Sequence, residues 1–255
     1  MRVKLPGQMQ VTNVLNMISN MLLTIRSTRG ISCYLCSYIL VKTGEFDGRT
    51  PLHEASLNGN LEFVKYLVNQ GAVLDAGVNE EGTLKGATPL ILSCKEGNLK
   101  VIRYLIDSGA DIRKQAKNGL DCASWAIFNN KIDVLKHILP IYPDLIRRKL
   151  LKGRNLLHLS VWKGRLASAI VILKNEGNKA IEEQDEEGNT ALGIASYYGR
   201  LPIVKLLVQN GANINHIGYH NKNVIDLAKW KGHSDVVDYL SQFRKNKNVF
   251  HPIIQ

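Results

Sequence analysis

The chain repeats one short template six times, at a period near 33 residues. Each copy starts with a stretch like Thr50–His53 and reaches a turn residue nine positions later, which is Gly59 in the first copy. The six starts are Thr50, Thr88, Asp121, Asn155, Thr190 and Asn223. Self-similarity at a fixed period predicts a solenoid, in which each unit packs only on its neighbours. Because a solenoid offers a long surface and no central pocket, the pattern favours the binding of other macromolecules.

The first copy shows why each unit should form two short helices. Thr50 can cap a helix start, and Pro51 suits the first helical position, where its missing N–H is harmless. Gly59 ends this helix, since glycine tolerates left-handed geometry. A second helix with one apolar face is predicted over Leu61–Val68, with Gly71 as its stop. Neither helix can bury its apolar stripe alone, so stacking on a neighbouring unit must stabilise it.

These units resemble the ankyrin repeat family. The stretches Asp47–His53, Asp107–Asp111 and Asn210–Asn215 carry the resemblance, which covers about residues 46–243. It implies an all-α repeat solenoid of stacked helix–turn–helix units, joined by β-hairpin-like fingers and curved around a concave groove. About six repeats would start near residues 47, 85, 118, 152, 187 and 220.

Three departures from the template stand out. The third repeat has Asp121–Ser124 in place of Thr-Pro-Leu-His, which puts its capping network in question. The finger before the second repeat is lengthened over Val78–Gly86, either as a binding loop or as tolerated extra length. Between the third and fourth repeats, Pro140–Asp144 should break the helix and redirect the chain.

The two ends lie outside the repeat pattern. Residues 1–45 are basic, and apolar residues recur at helical spacing from Val11 to Ile25. A degenerate first repeat that caps the stack is the favoured interpretation, with Tyr38–Gly44 as its second helix. A mitochondrial targeting helix in residues 1–44 and a secretory signal are the alternatives, although polar residues interrupt the apolar core of such a signal. Residues 244–255 are predicted to be a solvated basic tail.

The cysteines are few and scattered. Cys94 and Cys122 fall at interior repeat positions, where we expect them to act as small apolar side chains. Cys33 and Cys36 form a lone C-x-x-C pair with no second ligand pair nearby, so no zinc site is predicted. No disulfide framework is indicated, which favours a reducing compartment. A cytoplasmic location is therefore expected, with the nucleus as the alternative and mitochondria as a minority interpretation.

No signature of catalysis is present. The sequence lacks a G-x-S-x-G elbow, a phosphate-binding loop and an H-E-x-x-H pair, so we predict no enzyme activity, no cofactor and no metal site. His53 and His158 occupy the fourth template position, where the family resemblance implies hydrogen bonds to the backbone of a neighbouring repeat. The acidic run Glu182–Glu187 lacks the spacing and glycine of a calcium loop and is predicted to be a solvated finger.

The candidate site consists of the residues just before each repeat glycine, together with basic finger residues. The resemblance implies that these positions face the concave groove, and four successive repeats place aromatic rings there. The predicted partner-binding residues are Arg49, Phe128, Arg154, Trp162, Lys163, Tyr197, Tyr198, Lys222, Trp230 and Lys231. Aromatic and arginine side chains dominate interface hot spots, which favours binding. Packing of the rings over a neighbouring helix is the alternative. Trp125 differs, because its position predicts a place in the core.

The predicted function is that of a non-enzymatic scaffold or adaptor that binds a protein partner across the concave groove. The net charge of +11 is compatible with an acidic protein, a nucleic acid or an anionic lipid as partner and does not choose among them. Nucleic-acid binding is one alternative, because basic residues interleaved with rings can hold a strand, although the acidic run beside the groove disfavours it. A role as an accessory module of a larger enzyme or channel assembly is the other. No membrane span is predicted, and a monomer is expected.

Overall fold

The computed structural model describes residues 48–79, 81–175 and 177–245 of the chain. Within these residues it contains twelve α-helices in six consecutive pairs and no β-strand. The first helices are α1 (Pro51–Leu57), α3 (Pro89–Glu96), α5 (Cys122–Phe128), α7 (Leu156–Trp162), α9 (Ala191–Tyr197) and α11 (Val224–Lys231). The second helices are α2 (Leu61–Asn69), α4 (Leu99–Asp107), α6 (Ile132–Ile138), α8 (Leu166–Lys174), α10 (Leu201–Gln209) and α12 (Ser234–Lys245). The predicted all-α repeat solenoid is confirmed.

The two ends of the chain lie largely outside the described residues. The segment 1–45, interpreted as a cap or a targeting helix, lies outside the described residues. At the other end, α12 runs to Lys245, so the first two residues of the predicted tail are helical. The break predicted at Pro140–Asp144 is confirmed, because α6 ends at Ile138 and a single 3-10 turn follows over Pro143–Ile146.

Each first helix begins directly after the template residue that the sequence predicts as its N-cap. The side-chain oxygen of that residue accepts a backbone N–H from the first turn of its helix in all six repeats. The third repeat keeps this cap despite its altered motif: Asp121 accepts the N–H of Ser124 at 2.9 Å. A carboxylate therefore replaces the threonine hydroxyl without loss of the helix start.

The core is continuous along the array. First helices pack on first helices and second helices on second helices, so one apolar cluster extends from Leu52 to Leu240. A second, smaller cluster lies beside the fingers of repeats 2 and 3 and includes Trp125, which is 9% exposed. The core position predicted for Trp125 is confirmed. The lengthened finger also packs on this cluster, through Val78 and Leu84, so part of its extra length is buried.

Buried histidines link repeats across two of the five interfaces. His53 Nε2 donates to the carbonyl oxygen of Ala87 at 3.0 Å, and His158 Nε2 donates to that of Asn189 at 3.0 Å. Both rings are fully buried. A hydrogen bond that satisfies a buried carbonyl avoids a desolvation cost, so each histidine ties its repeat to the next. The structural role that the family resemblance implies for both residues is confirmed.

A disulfide joins repeats 2 and 3, where neither neighbouring first helix carries such a histidine. Cys94 in α3 and Cys122 at the start of α5 are bonded, with their Cα atoms 5.3 Å apart and both side chains fully buried. The expectation that the two act only as small apolar side chains, with no disulfide, is wrong. Their separation of 28 residues is close to one repeat period, which brings them together across the contact between α3 and α5. Sequence reasoning missed the pair because one isolated bridge leaves no framework pattern.

The acidic run is only partly the solvated finger that the sequence predicts. Three of its acids are exposed, namely Glu182, Glu186 and Glu187. The side chains of Glu183 and Asp185, in contrast, are only 15% and 1% exposed. Arg147 and Lys149 pair with Glu183, and Arg154 lies 3.4 Å from Asp185. For these two acids the prediction is wrong, because their cations come from the preceding finger about one repeat period earlier, beyond the reach of a local pattern.

Candidate functional site

The predicted binding residues of repeats 3 to 6 lie at the C-terminal ends of the first helices and on the adjacent fingers. We call this surface the groove face. Its aromatic side chains gather into two groups, one formed by repeats 3 and 4 and one by repeats 5 and 6. Among the described residues, no ring of one group contacts a ring of the other.

The first group, which we call the 3–4 cluster, consists of Phe128, Trp162, Lys163 and Arg154. The rings of Phe128 and Trp162 meet edge to face, with centroids 5.9 Å apart. The Lys163 ammonium lies 4.1 Å from the Phe128 centroid and 4.4 Å from the Trp162 centroid. The Arg154 guanidinium lies 5.4 Å from the Trp162 ring. Cations at such distances are attracted by the negative ring faces, so the four side chains hold one another in place.

The second group, the 5–6 cluster, contains more rings. Tyr197 is its centre and meets Tyr198, Tyr219 and Trp230 edge to face, with centroids 5.0, 6.4 and 6.0 Å away. His220 meets Trp230 edge to face at 5.6 Å. Edge-to-face pairs are favourable because the positive edge of one ring meets the negative face of the other.

Two lysines complete the 5–6 cluster. The Lys231 ammonium lies 4.5 Å from the Tyr197 centroid and 4.7 Å from the Trp230 centroid. The Lys222 ammonium lies 5.6 Å from the Trp230 ring. Both clusters therefore share one design, in which lysine ammonium groups rest on aromatic rings at the rim of the groove face.

A cavity of about 160 Å³ lies between the clusters. Its lining comes from three successive fingers and from α9: Lys152, Arg154, Glu187, Asn189, Ile194, Tyr197, Tyr198 and Tyr219. Arg154 belongs to the 3–4 cluster, and Tyr197 is the centre of the 5–6 cluster. The cavity therefore connects the two into one continuous surface.

The sequence left open whether the rings bind or pack, and the structure shows elements of both. Phe128, Trp162 and Tyr197 are partly buried by their neighbours. Trp230 is 49% exposed and Tyr198 is 41% exposed. The two exposed rings in the 5–6 cluster are therefore the accessible apolar anchors on this surface.

Arg49 is the one predicted residue outside this arrangement. It lies in repeat 1, before α1, and its guanidinium pairs with Glu54 at 3.0 Å. Because its charge is already neutralised and both clusters belong to later repeats, Arg49 does not contribute to the surface described above.

Lys152 is a member of the site that the sequence analysis did not nominate. It lines the cavity, and its backbone is left-handed, with φ of 61°. His220 takes the same position in the last finger, with φ of 54°. Left-handed geometry is costly for residues other than glycine, and such strain concentrates at functional positions. No signal in the sequence marked Lys152, because its finger keeps Gly153 at the usual place. Only the last finger departs from the pattern, with Asn221 where the other fingers have glycine.

The described part of the chain lacks two further features that could indicate a function. No group of three or more His, Cys, Asp or Glu side chains there could hold a metal ion. In the same residues, no helix has the length and apolar character needed to cross a membrane.

Comparison with known proteins gives one family. A model of ankyrin repeats in three copies matches residues 25–116, 123–217 and 157–251. Alpha-latrotoxin-Lg1a from Latrodectus geometricus is 30% identical over 227 residues, which cover 86% of this chain and 16% of that toxin. Alpha-latrotoxin-Lhe1a from Latrodectus hesperus is 29% identical over 216 residues, which cover 85% of this chain and 15% of the toxin. The chain thus spans about one sixth of the length of these relatives.

Solved structures share the architecture. The ankyrin repeat domain of Bcl-3 superposes with a TM-score of 0.70 and 25% identity, covering 82% of this chain and 91% of that domain. A chain from the complex of the Bd0816 predatory endopeptidase of Bdellovibrio bacteriovorus with immunity protein Bd3460 gives a TM-score of 0.66 at 23% identity. That match covers 76% of this chain and 98% of the other, and it concerns the fold alone.

Proposed function

Because this chain belongs to the ankyrin repeat family, we propose that it is a protein–protein interaction module of the scaffold or adaptor type, with no chemistry of its own. The observation that carries the proposal is the continuous surface on repeats 3 to 6, in which two aromatic clusters flank a cavity. A partner protein would lie across this groove face. Repeats 1 and 2 would act mainly as the rigid support from which the surface extends.

The energetics of interfaces support this use of the rings. Tryptophan and tyrosine supply most of the binding free energy at many interfaces, particularly where they cluster in a desolvated patch. Here Tyr198 and Trp230 are exposed, and Tyr197 anchors both through ring contacts. Their order before binding reduces the conformational entropy that association would remove.

A triple variant, Trp162→Ala with Tyr197→Ala and Trp230→Ala, should lose partner binding while keeping the fold. Each ring is a candidate hot spot, so we expect affinity to fall by at least about 100-fold. The measurement is affinity capture from nuclease-treated lysate of the source cell, quantified by mass spectrometry and followed by calorimetry on the captured partner.

The matched control truncates rings that lie on second helices: Phe63→Ala, Tyr104→Ala and Tyr239→Ala. These side chains are also partly buried against the core, so the control shares the cost in packing but leaves the groove face intact. Equal capture by wild type and the groove variant, with both folded, would contradict the proposal. Capture that is seen only from a parallel lysate without nuclease treatment would assign the surface to nucleic acid.

A second candidate role is that of a module within a longer protein. The supporting observation is that the toxin relatives are about six times longer than the matched region. An immunoblot of the source tissue with an antibody against residues 46–243 tests this role. A band well above 28.5 kDa would support it, and a band at that mass would contradict it.

The cytoplasmic location stays a prediction, and the Cys94–Cys122 disulfide makes it testable. The cytosol keeps most protein thiols reduced, whereas secretory compartments maintain disulfides. Source cells would be lysed in acid to stop thiol exchange, and the endogenous protein would then be denatured and alkylated. The labelling distinguishes a reducing from an oxidising compartment. Labelling of both cysteines supports the cytoplasm, and protection of both supports an oxidising compartment.

A further inference from the structure

We infer that the partner offers an acidic segment to the groove face, and that carboxylates of this segment bind the ammonium groups of Lys163, Lys222 and Lys231. The inference rests on the proposed function, because it names the chemistry of the partner that the same surface would take. It assigns distinct roles to the two kinds of side chain: the exposed rings supply apolar contact, and the lysines select for acidity.

The first step is that these three lysines carry charge that nothing nearby neutralises. Within the described residues, no carboxylate lies within 4 Å of their ammonium groups. Four other cations of the fingers and first helices are paired: Arg49 with Glu54, Lys95 with Glu96, Lys152 with Glu187, and Arg154 with Asp185. Lys163, Lys222 and Lys231 are therefore the cations of the two clusters whose charge is available to a ligand.

The second step is that the ammonium groups are positioned before any ligand arrives. Lys163 lies over two rings of the 3–4 cluster, and Lys231 lies over two rings of the 5–6 cluster. A free lysine loses much rotamer freedom when it forms an ion pair. A lysine that already rests on an aromatic ring loses less, so its pairing with a carboxylate is more favourable.

The third step concerns spacing. Lys163 ends α7 and Lys231 ends α11, two repeats further along. Helices in contact lie roughly 8–10 Å apart, so the ends of α7 and α11 are separated by about 16–20 Å. An extended chain covers this distance in about five or six residues. The matching segment has acidic residues about five or six positions apart, with an apolar residue between them over the cavity and Tyr198.

The same geometry disfavours a nucleic acid as the ligand. Bases bind single-stranded sites by stacking on open aromatic faces. Here lysines lie over the faces of Phe128, Trp162 and Trp230, and the rings meet one another edge on. The surface therefore presents ammonium groups in place of stacking platforms.

The test compares two variants of the full chain with equal charge. The groove variant carries Lys163→Gln, Lys222→Gln and Lys231→Gln. The control carries Lys100→Gln, Lys136→Gln and Lys205→Gln, which are exposed lysines on the second helices α4, α6 and α10. Poly-L-glutamate is the acidic probe and oligothymidylate is the nucleic-acid probe. Fluorescence reports the binding, because Trp162 and Trp230 lie in the clusters.

We expect the groove variant to bind poly-L-glutamate at least about 10-fold more weakly than wild type, while the control changes by less than about 2-fold. Equal losses in both variants would show a response to net charge alone and would overturn the inference. Absence of any response of the wild type to millimolar polyglutamate would overturn it too. The inference would also be overturned if wild type bound oligothymidylate more tightly than poly-L-glutamate and the groove variant lost that binding.

The design separates this inference from the proposed function. If the aromatic triple variant loses its captured partner and the lysine variant keeps it, the groove face binds protein but does not select acidity. If the aromatic variant keeps the partner, the proposed function itself fails, whatever the lysines do.

Discussion

Lowering the pH from about 7 to about 5 should reduce the free energy of unfolding by about 4 kcal/mol, because two buried histidines stay neutral in the folded protein. Burial, the larger cause, lowers the pKa of His53 and of His158 to about 4. The hydrogen bond from each ring to a carbonyl of the next repeat raises the pKa, but burial outweighs it. In each ring Nε2 donates to a carbonyl, and Nδ1 faces the backbone N–H of Thr50 or Asn155.

The sign follows from where the protons bind. An unfolded histidine has a pKa of about 6.5. At pH values between about 6.5 and about 4, the unfolded chain therefore binds more protons than the folded one. Stability is therefore complete above about pH 7 and is lost as the pH falls, by about 2 kcal/mol per histidine at about pH 5. Asp121 acts in the opposite direction, because burial raises the pKa of its carboxyl group.

Urea unfolding at a series of pH values measures this effect. The variant His53→Gln with His158→Gln should be less stable at neutral pH but should lose little or no further stability as the pH falls over this range. A control with His137→Gln and His220→Gln keeps both buried rings and should keep the wild-type slope. If the double variant does not fold, each single variant should show half the slope. A wild-type stability that stays flat down to about pH 5 would contradict the argument.

The second large effect concerns the disulfide. Reduction of Cys94–Cys122 should lower the free energy of unfolding by about 3–4 kcal/mol, the value that loop-closure entropy gives for this chain separation. Reduced wild type keeps the packing of both side chains, so it isolates the effect of the bond. The variant Cys94→Ala with Cys122→Ala should resemble reduced wild type, with a further small loss from the sulfur atoms removed.

Denaturant unfolding with and without a reductant tests this prediction. The control variant Cys33→Ala with Cys36→Ala retains the bridge and should respond to the reductant as wild type does. The variant that lacks Cys94 and Cys122 should not respond. Equal stability of oxidised and reduced wild type would show that the bond does not constrain the unfolded chain.

The sequence predicted most of the fold because the signals that define it are local. A cap, a glycine stop and an apolar stripe recur within every unit, as Thr50 and Gly59 show, and the period alone specifies that the units stack. It failed where the structure depends on contacts between units. The Cys94–Cys122 bond and the pairing of Glu183 with Arg147 each join residues about one repeat period apart.

The candidate site was predictable to a similar degree. Residue position within the repeat placed Phe128, Trp162, Tyr197 and Trp230 on one face, because helical geometry is the same in every unit. The division into two clusters was not predictable. It depends on how adjacent side chains meet across repeat interfaces, and this varies with the identity of each neighbour. Lys152 was not predicted, because a lysine in the sequence gives no sign that its backbone is left-handed.

The disulfide also has a mechanical consequence. Repeat arrays extend under tension by releasing one unit after another, since each unit is held only by its neighbours. The bond between Cys94 and Cys122 encloses a chain separation of 28 residues that no pulling force can extend while the bond is intact. A stretched oxidised chain should therefore stop about 95 Å short of the contour length of the reduced one. The array would have an elastic part on either side of an inextensible link.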